Sequence, residues 1–333
     1  MKKVFKVLGI LVGVIFLLLI AGYIYLNTAF PKVDSPADIK VEVTPERIAR
    51  GEYLATHVAV CIDCHSERDF TKFAGPIKPG TEGSGGEVFD ENIGFPGKVT
   101  TKNLTPANLG SWTDGELIRA ITCGVTKDNR ALFPMMPYPN YNQFSEEDLY
   151  SIVAYIRTLE PQEKNIPETE LNFPLNLIVK TMPIQTYSPA KEINKSNTVA
   201  YGNYLVTLAS CSECHTPSDQ GDPLPGMNMA GGQAFNFPGG VVRSLNITPD
   251  NETGIGTWTK EDFIARFRFY SGEDAHNVPV NIEKDFNTPM PWLMYAGMTD
   301  EDLNAIYDYL RTVTPVKNRV ERFTPHSTAT ASK

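Results

Sequence analysis

The sequence predicts an all-α fold in which two tandem helical domains follow an N-terminal transmembrane helix. Three observations predict it: an uncharged run near the N-terminus, short motifs that occur twice in the same order, and helix-capping signals at matching places in both copies. The chain has 333 residues. Each copy spans roughly 100 residues, which is a normal size for one compact domain.

The N-terminal segment is the first predicted element. Val7 to Leu26 is 20 residues without a charge, and three lysines precede it. This length spans a bilayer as a helix, and the lysines place the N-terminus in the cytoplasm. A cleaved signal peptide is the competing interpretation, but its apolar region is usually shorter and ends in a small-x-small site, which is not clear here. We therefore expect residues 1–27 to be an uncleaved single-pass anchor in the inner membrane, and residues 28–44 to be a tether.

The internal repeat defines the two domains. Its paired segments are Gly51–Leu54 and Gly202–Leu205, Asn103–Pro106 and Asn246–Pro249, Gly110–Thr113 and Gly256–Thr259, Met136–Tyr138 and Met290–Trp292, and Ser145–Leu149 and Thr299–Leu303. The order is the same in both copies, so small loop insertions account for the differences in spacing. We assign the first repeat to residues 45–160 and the second to 196–315, with a linker at 161–195 and a C-terminal tail at 316–333.

Capping residues predict where the helices of each repeat begin. Thr44 and Pro45 fit the N-cap and first turn of a helix that runs towards Cys61. Capping signals at Thr113-x-x-Glu116 and Thr259-x-x-Asp262 predict a middle helix in each repeat. A last helix opens at Ser145, with its counterpart at Thr299. One face of this helix is apolar and is expected mainly to pack in the core: Leu149, Ile152, Val153, Ile156 and Leu159.

The segments between these helices are expected to be irregular. Residues 73–110 and 216–257 are rich in Gly and Pro, and we expect them to be long functional loops. The linker contains five prolines, too many for a continuous helix. Its apolar residues, among them Phe173 and Ile178, predict packing across both domains and a fixed relation between them.

The strongest chemical signal is the pair of C-x-x-C-H motifs at Cys61–His65 and Cys211–His215, which use four of the five cysteines. This pattern attaches haem covalently, because the thiols add to the porphyrin vinyl groups and the adjacent His is delivered to the iron. A zinc site would need C-x-x-C pairs closer in sequence, without a fixed His. A thioredoxin-like redox pair would need only one motif. We therefore expect two covalently bound haem c groups, held by Cys61, Cys64 and His65, and by Cys211, Cys214 and His215.

The ordered motifs resemble the class I cytochrome c fold, in the variety found in membrane-bound cytochrome subunits of bacterial periplasmic dehydrogenases. The likeness covers about 45–160 and 196–315, and rests on G-x-Y-L before C-x-x-C-H, followed by N-L-T-P, W-T-x-x-E and M-P-Y/W. Alcohol dehydrogenase cytochrome subunits of this kind carry three C-x-x-C-H motifs, whereas this chain has two.

The resemblance places the second axial iron ligand at the Met of M-P-Y/W, which is Met136 in the first repeat and Met290 in the second. A thioether stabilises ferrous iron and suits an electron carrier. Both residues could instead be core methionines. Met135 is the rival to Met136, and His276 is the rival to Met290.

Charge and the ligand sets bound the function. The net charge of −9 argues against a nucleic-acid partner. Both repeats offer a closed His/Met set, which favours an electron carrier over an enzyme such as a dihaem peroxidase or thiosulfate-oxidising cytochrome. We expect haem domains in the periplasm, a dehydrogenase or quinol-oxidising complex as donor, and an oxidase or soluble cytochrome in the respiratory chain as acceptor. Trp112 and Trp258 are equally compatible with propionate contacts and core packing, and Cys123 is expected to be buried and inert.

Overall fold

The N-terminal helix α1, Lys2–Ala29, has no buried residue and meets the linker near its C-terminal end. The computed structural model describes residues 1–191, 193–219 and 221–326. The most apolar part of α1 has a mean hydropathy of 2.9, and none of it is buried against the protein. It is therefore long and apolar enough to cross a membrane, a property that signal sequences share.

Apart from one short helix of the first repeat, the α-helices of the two repeats occur in the same order among the described residues. In the first repeat they are α2 Pro45–Tyr53 with a π-helical turn Leu54–Val58, α3 Cys61–Cys64, a 3-10 turn Glu91–Ile93, α4 Pro106–Leu109, α5 Asp114–Cys123, α6 Tyr138–Tyr141 and α7 Glu146–Ile156. The linker holds α8 Leu175–Ile178 and a 3-10 turn Val179–Thr181. The second repeat contains α9 Thr198–Leu208, α10 Cys211–His215, α11 Lys260–Arg268, a 3-10 turn Glu273–Asn277, α12 Trp292–Tyr295 and α13 Asp300–Leu310.

The predicted capping residues are confirmed. The Thr44 side chain accepts a hydrogen bond from Arg47 N at the start of α2, where Pro45 occupies the first turn. Thr113 and Thr259 each form a complete capping box at the start of α5 and α11. Ser145 and Thr299 accept from the third backbone N–H of α7 and α13. These side chains satisfy N–H groups that have no partner inside the helix.

The all-α prediction is wrong, because the described residues also form three small sheets. Antiparallel strands β1 Val88–Phe89, β2 Gly97–Thr100 and β3 Glu170–Leu171 form one sheet, β4 Ser218–Asp219 and β5 Asp222–Pro223 a second, and β6 Ala234–Phe237, β7 Gly240–Arg243 and β8 Phe323–Pro325 a third. The expected loops 73–110 and 216–257 thus contain paired strands, since backbone groups removed from water need hydrogen-bond partners. Strands of two to four residues are too short to show a period-2 pattern, and so the sequence does not predict them.

The linker and tail also take part in the sheets. β3 comes from the linker and pairs with β2, while β8 comes from the expected tail and pairs with β7. Residues 327–333 of that tail lie outside the described residues. The predicted packing of the linker's apolar side chains is wrong for Phe173 and Ile178, which are 79% and 45% exposed.

A glycine allows the first and last helices of each repeat to cross closely. A Cβ atom on Gly51 of α2 would lie 1.9 Å from the carbonyl oxygen of Ser151 in α7. A Cβ atom on Gly202 of α9 would lie 1.8 Å from the carbonyl oxygen of Ala305 in α13. Only glycine permits such an approach, which gives the G-x-Y-L motif a structural cause.

The two repeats share one continuous hydrophobic core and exchange matching hydrogen bonds across their contact. Tyr53 of the first repeat donates to Asp302 Oδ2 of the second at 2.5 Å. Tyr204, the counterpart of Tyr53, donates to Asp148 Oδ2, the counterpart site in the first repeat, at 2.7 Å. The same residue pair is therefore used twice in opposite directions, as in a contact with two-fold symmetry.

Candidate functional site

Both C-x-x-C-H motifs fold into a short helical turn. Cys61 and Cys64 lie at the two ends of α3, and Cys211 and Cys214 lie in α10. Residues three apart share a face of a helix, so each turn presents its two thiols together.

A residue with left-handed backbone conformation precedes each turn. Val60 before Cys61 has φ 46°, and Ser210 before Cys211 has φ 53°. This conformation is unfavourable for a non-glycine residue, most of all for a β-branched one such as Val60. Its presence at the same position in both repeats shows that the turn geometry is held against local preference.

A backbone carbonyl orients the histidine of each motif. His65 Nδ1 lies 2.6 Å from Lys102 O, and His215 Nδ1 lies 2.7 Å from Leu245 O. Since a carbonyl only accepts, Nδ1 must carry the proton, which leaves the Nε2 lone pair free for a metal. Burial lowers the pKa of both imidazoles and keeps them in this neutral form.

The Asn-x-Thr-Pro motif, which follows directly after Lys102 and Leu245, holds that carbonyl in place. Asn103 Nδ2 donates to Gln162 O at 2.7 Å, and Asn246 Nδ2 donates to Val316 O at 2.7 Å. The threonine hydroxyl of each motif accepts from the backbone N–H of the same partner residue at 3.1 Å. The motif thus ties the segment that accepts the histidine's hydrogen bond to the chain six residues after the repeat's last helix.

The two predicted methionine ligands lie in loops that are fixed to the attachment turns. Tyr141 in α6 donates to Ala59 O at 2.8 Å, two residues before Cys61. Tyr295 in α12 makes the same bond to Ala209 O at 2.8 Å, two residues before Cys211. Each bond brings the Met-Pro loop and the C-x-x-C-H turn of one repeat together. These tyrosines were not predicted, although a Tyr five residues after the Met recurs in both repeats.

Met136 and Met290 are half-buried and pack against the main core. Met135, the rival to Met136, instead lines a cleft with Pro139 and with Glu213 of the second repeat. His276 lies in the 3-10 turn Glu273–Asn277.

The surroundings of the two attachment turns differ. Beside the first, the buried Arg68 guanidinium donates to Asp63 Oδ2 at 2.8 Å and to both carboxylate oxygens of Glu87. The position of Asp63 is taken in the second turn by Glu213, whose side chain is exposed. The first site is therefore covered by an ionic cluster, while the second is more open to solvent.

One buried hydroxyl further supports a fit to a bound cofactor. Tyr138 is fully buried two residues after Met136, and within the described part of the chain its hydroxyl has no hydrogen-bond partner. A buried unpaired hydroxyl costs about 1–3 kcal/mol. The paired thiols, the oriented imidazoles and this hydroxyl together suit a covalently attached porphyrin with polar groups.

Comparisons with known proteins identify the second repeat. The cytochrome c family matches residues 199–314. The fructose dehydrogenase cytochrome subunit of Gluconobacter japonicus is 29% identical over 283 residues, covering 80% of this chain and 52% of that protein. The cytochrome c subunit of the quinone alcohol dehydrogenase of Gluconobacter oxydans is 26% identical over 286 residues, covering 81% and 55%. The chain thus spans about half the length of these two dehydrogenase subunits.

A third relative matches over nearly its whole length. The dihaem c-type cytochrome of Cereibacter sphaeroides is 28% identical over 315 residues, which cover 90% of this chain and 97% of that protein. A cytochrome c domain implies covalently bound haem c, and the donor set described above fits that cofactor. Residues 199–314 therefore form a cytochrome c domain, and the chain is a relative of the cytochrome c subunits of bacterial dehydrogenases and of a dihaem c-type cytochrome.

Proposed function

We propose that this chain is a membrane-anchored dihaem cytochrome c that carries single electrons between redox partners in the periplasm. The observation that carries the proposal is the duplication of the whole site. Each repeat has a C-x-x-C-H turn, a histidine oriented by a carbonyl, and a Met-Pro loop fixed to the turn by a tyrosine. Two such centres in one chain can pass an electron from one to the other, so the duplication supports a two-centre electron carrier.

Each group in the site has a defined task in this proposal. Cys61 and Cys64, with Cys211 and Cys214, attach the two porphyrins, and His65 and His215 present Nε2 to the irons. Haem c, when bound, supplies iron that changes oxidation state by one electron. Met136 and Met290 would each supply a thioether ligand to one of the irons, and Pro137 and Pro291 stiffen the loops that hold these residues.

The closed ligand sets favour electron transfer over catalysis. A dihaem peroxidase or a thiosulfate-oxidising cytochrome needs an exchangeable position or an unusual ligand at one iron. Both repeats of this chain offer the same His and Met residues at matching positions.

We further propose that a dehydrogenase is the electron donor. The relatives described above include fructose and alcohol dehydrogenase cytochrome subunits, which supports this partner. A quinol-oxidising complex as donor, and an oxidase or soluble cytochrome as acceptor, fit the same chemistry. Purification of the complex from native membranes, followed by identification of the bound subunits, tests the assignment.

The ligand assignment is tested by Met136→Ala and Met290→Ala. Each single variant should bind carbon monoxide at one ferrous haem and lose about half of the near-infrared absorption band of Met-ligated ferric haem, because each ligand serves only its own repeat. The double variant should lose the band entirely, and the intact mass should still include two haems.

Met135→Ala is the matched control and should leave the spectrum nearly unchanged. If the wild-type protein binds carbon monoxide readily at one haem, that iron is open, and the enzyme interpretation replaces the carrier interpretation.

A further inference from the structure

The linker segment Phe173–Met182, here called the linker ridge, exposes apolar side chains without being a free tether. Phe173 is 79% exposed, Ile178 45% and Met182 37%, while Val179 between them is buried at 6%. Backbone hydrogen bonds hold the ridge at both ends. Asn172 N donates to Pro96 O at 3.1 Å, and Ile184 N donates to Cys123 O at 3.1 Å. The first repeat therefore presents these apolar groups in a fixed place.

The ridge lies beside the end of α1 that leaves the apolar span. α1 contacts both α8 and the turn Val179–Thr181. Lys180 Nζ donates to Asn27 Oδ1 at 2.5 Å, one residue after the uncharged span ends at Leu26. Nearby, Asp34 N donates to Gln185 O at 2.9 Å, and Thr186 Oγ1 donates to Asp34 Oδ2 at 2.5 Å. Asn27, just before the tether, and Asp34, within it, are thus hydrogen-bonded to the ridge and to the residues that follow it.

The charge pattern of the ridge fits an anionic lipid surface. Residues 171–190 contain no Asp or Glu, although the chain has 39 acidic residues and a net charge of −9. The cation in this stretch is Lys180, which anionic headgroups attract. Tyr25, a residue type suited to the membrane–water interface, lies two residues before Asn27, and its ring centroid is 5.8 Å from that of Phe30.

From this combination we infer that the linker ridge rests on the outer surface of the bilayer, with Phe173, Ile178 and Met182 inserted among the lipid headgroups. The inference rests on the proposed membrane anchor, because α1 brings the ridge to the bilayer. A short apolar segment binds at the interface when a second anchor holds it there, since neither contact alone needs to be strong. The membrane contacts made by α1 and by the ridge together determine which face of the first repeat is turned to the bilayer.

Spin labels on the full-length haem-loaded protein test this placement. The protein is placed in nanodiscs of phosphatidylcholine and phosphatidylglycerol, with one nitroxide label at Phe173→Cys or Ile178→Cys. Collisions with oxygen, which partitions into lipid, are compared with collisions with a water-soluble nickel chelate. The control is Val278→Cys, because Val278 is 46% exposed and lies in the second repeat. A reference label at Leu17→Cys reports on α1.

We expect the ratio of oxygen collisions to nickel-chelate collisions to be several-fold higher for labels at 173 and 178 than for the label at 278. It should remain below the ratio for the label at 17. If 17 is in lipid while 173 and 178 match 278, the ridge does not touch the bilayer, and the anchor still stands. If 17 is also open to the nickel chelate, the anchor fails and the inference fails with it. Protection of 173 and 178 from both reagents would show a protein partner on the ridge, and would equally overturn the lipid contact.

Discussion

Removing the hydroxyl of Tyr53 should destabilise the contact between the repeats more than removing that of its counterpart, Tyr204. The two tyrosines make matching bonds, but the carboxylates they serve have different remaining partners. Asp302, 2% exposed, would keep one side-chain donor, the hydroxyl of Tyr201 at 2.8 Å. Asp148 would keep two guanidinium bonds from Arg50, at 2.8 and 3.0 Å.

The expected magnitudes follow from these contacts. A hydrogen bond to a charged group contributes about 1.5–3 kcal/mol to stability. Where its removal leaves a buried acceptor with too few partners, the loss of stability lies in the upper part of that range. We therefore expect Tyr53→Phe to lower the free energy of unfolding by about 2–3 kcal/mol. Tyr204→Phe should lower it by about 1 kcal/mol, because the Arg50 guanidinium still compensates the carboxylate.

Urea unfolding of the haem-loaded protein, followed by far-ultraviolet circular dichroism, measures both values. Tyr187→Phe is the control for loss of an ordinary hydrogen bond. The Tyr187 hydroxyl, in the linker, donates to the backbone oxygen of Phe144 in the first repeat at 2.8 Å. The reasoning is refuted if Tyr204→Phe costs as much as Tyr53→Phe, or if neither exceeds Tyr187→Phe.

Three further outcomes are expected. Gly202→Ala should destabilise the second repeat by about 1–3 kcal/mol or prevent folding, since its Cβ would clash with Ala305 O, whereas Gly272→Ala, in open space, should be neutral in the same unfolding assay. Burial and the neighbouring carboxylates raise the pKa of Tyr53 and Tyr204 above 10.0, so their contribution to stability is complete below about pH 10 and falls as the pH rises further. The difference in free energy of unfolding between wild type and the double Phe variant should therefore stay constant from about pH 8 to pH 10 and narrow between about pH 10 and pH 11; a difference that stays constant up to about pH 11 would contradict this. Replacing residues 1–27 by a cleavable signal should give a soluble periplasmic protein with two haems, as fractionation and mass spectrometry can show; a mature natural protein that already lacks this segment would disprove the anchor.

The sequence predicted the features that depend on neighbouring residues. The capping residues Thr44, Thr113 and Thr259 act as expected, because a cap is decided within four positions of the chain. The haem-attachment pattern and its duplication were visible for the same reason. The ligand roles of Met136 and Met290 stay predictions.

Features that depend on distant residues were not predictable in this way. β3 and β8 pair with strands more than seventy residues away, and nothing in their own two or three residues indicates a partner. The Tyr53–Asp302 bond joins positions 249 apart in the chain. In the sequence, Tyr53 and Asp302 stand out only as members of repeated motifs. Nothing in either motif indicates that these two side chains meet across the repeats.

The reciprocal tyrosine–aspartate contact has a consequence for assembly. A surface on which one patch carries both the donor and its own acceptor is self-complementary, so it would join two identical chains as readily as two halves of one chain. In this protein the covalent connection supplies the second copy at a high effective concentration, and the patch is already occupied. The chain therefore resembles a homodimer made permanent by duplication, and any further molecule must bind through other faces.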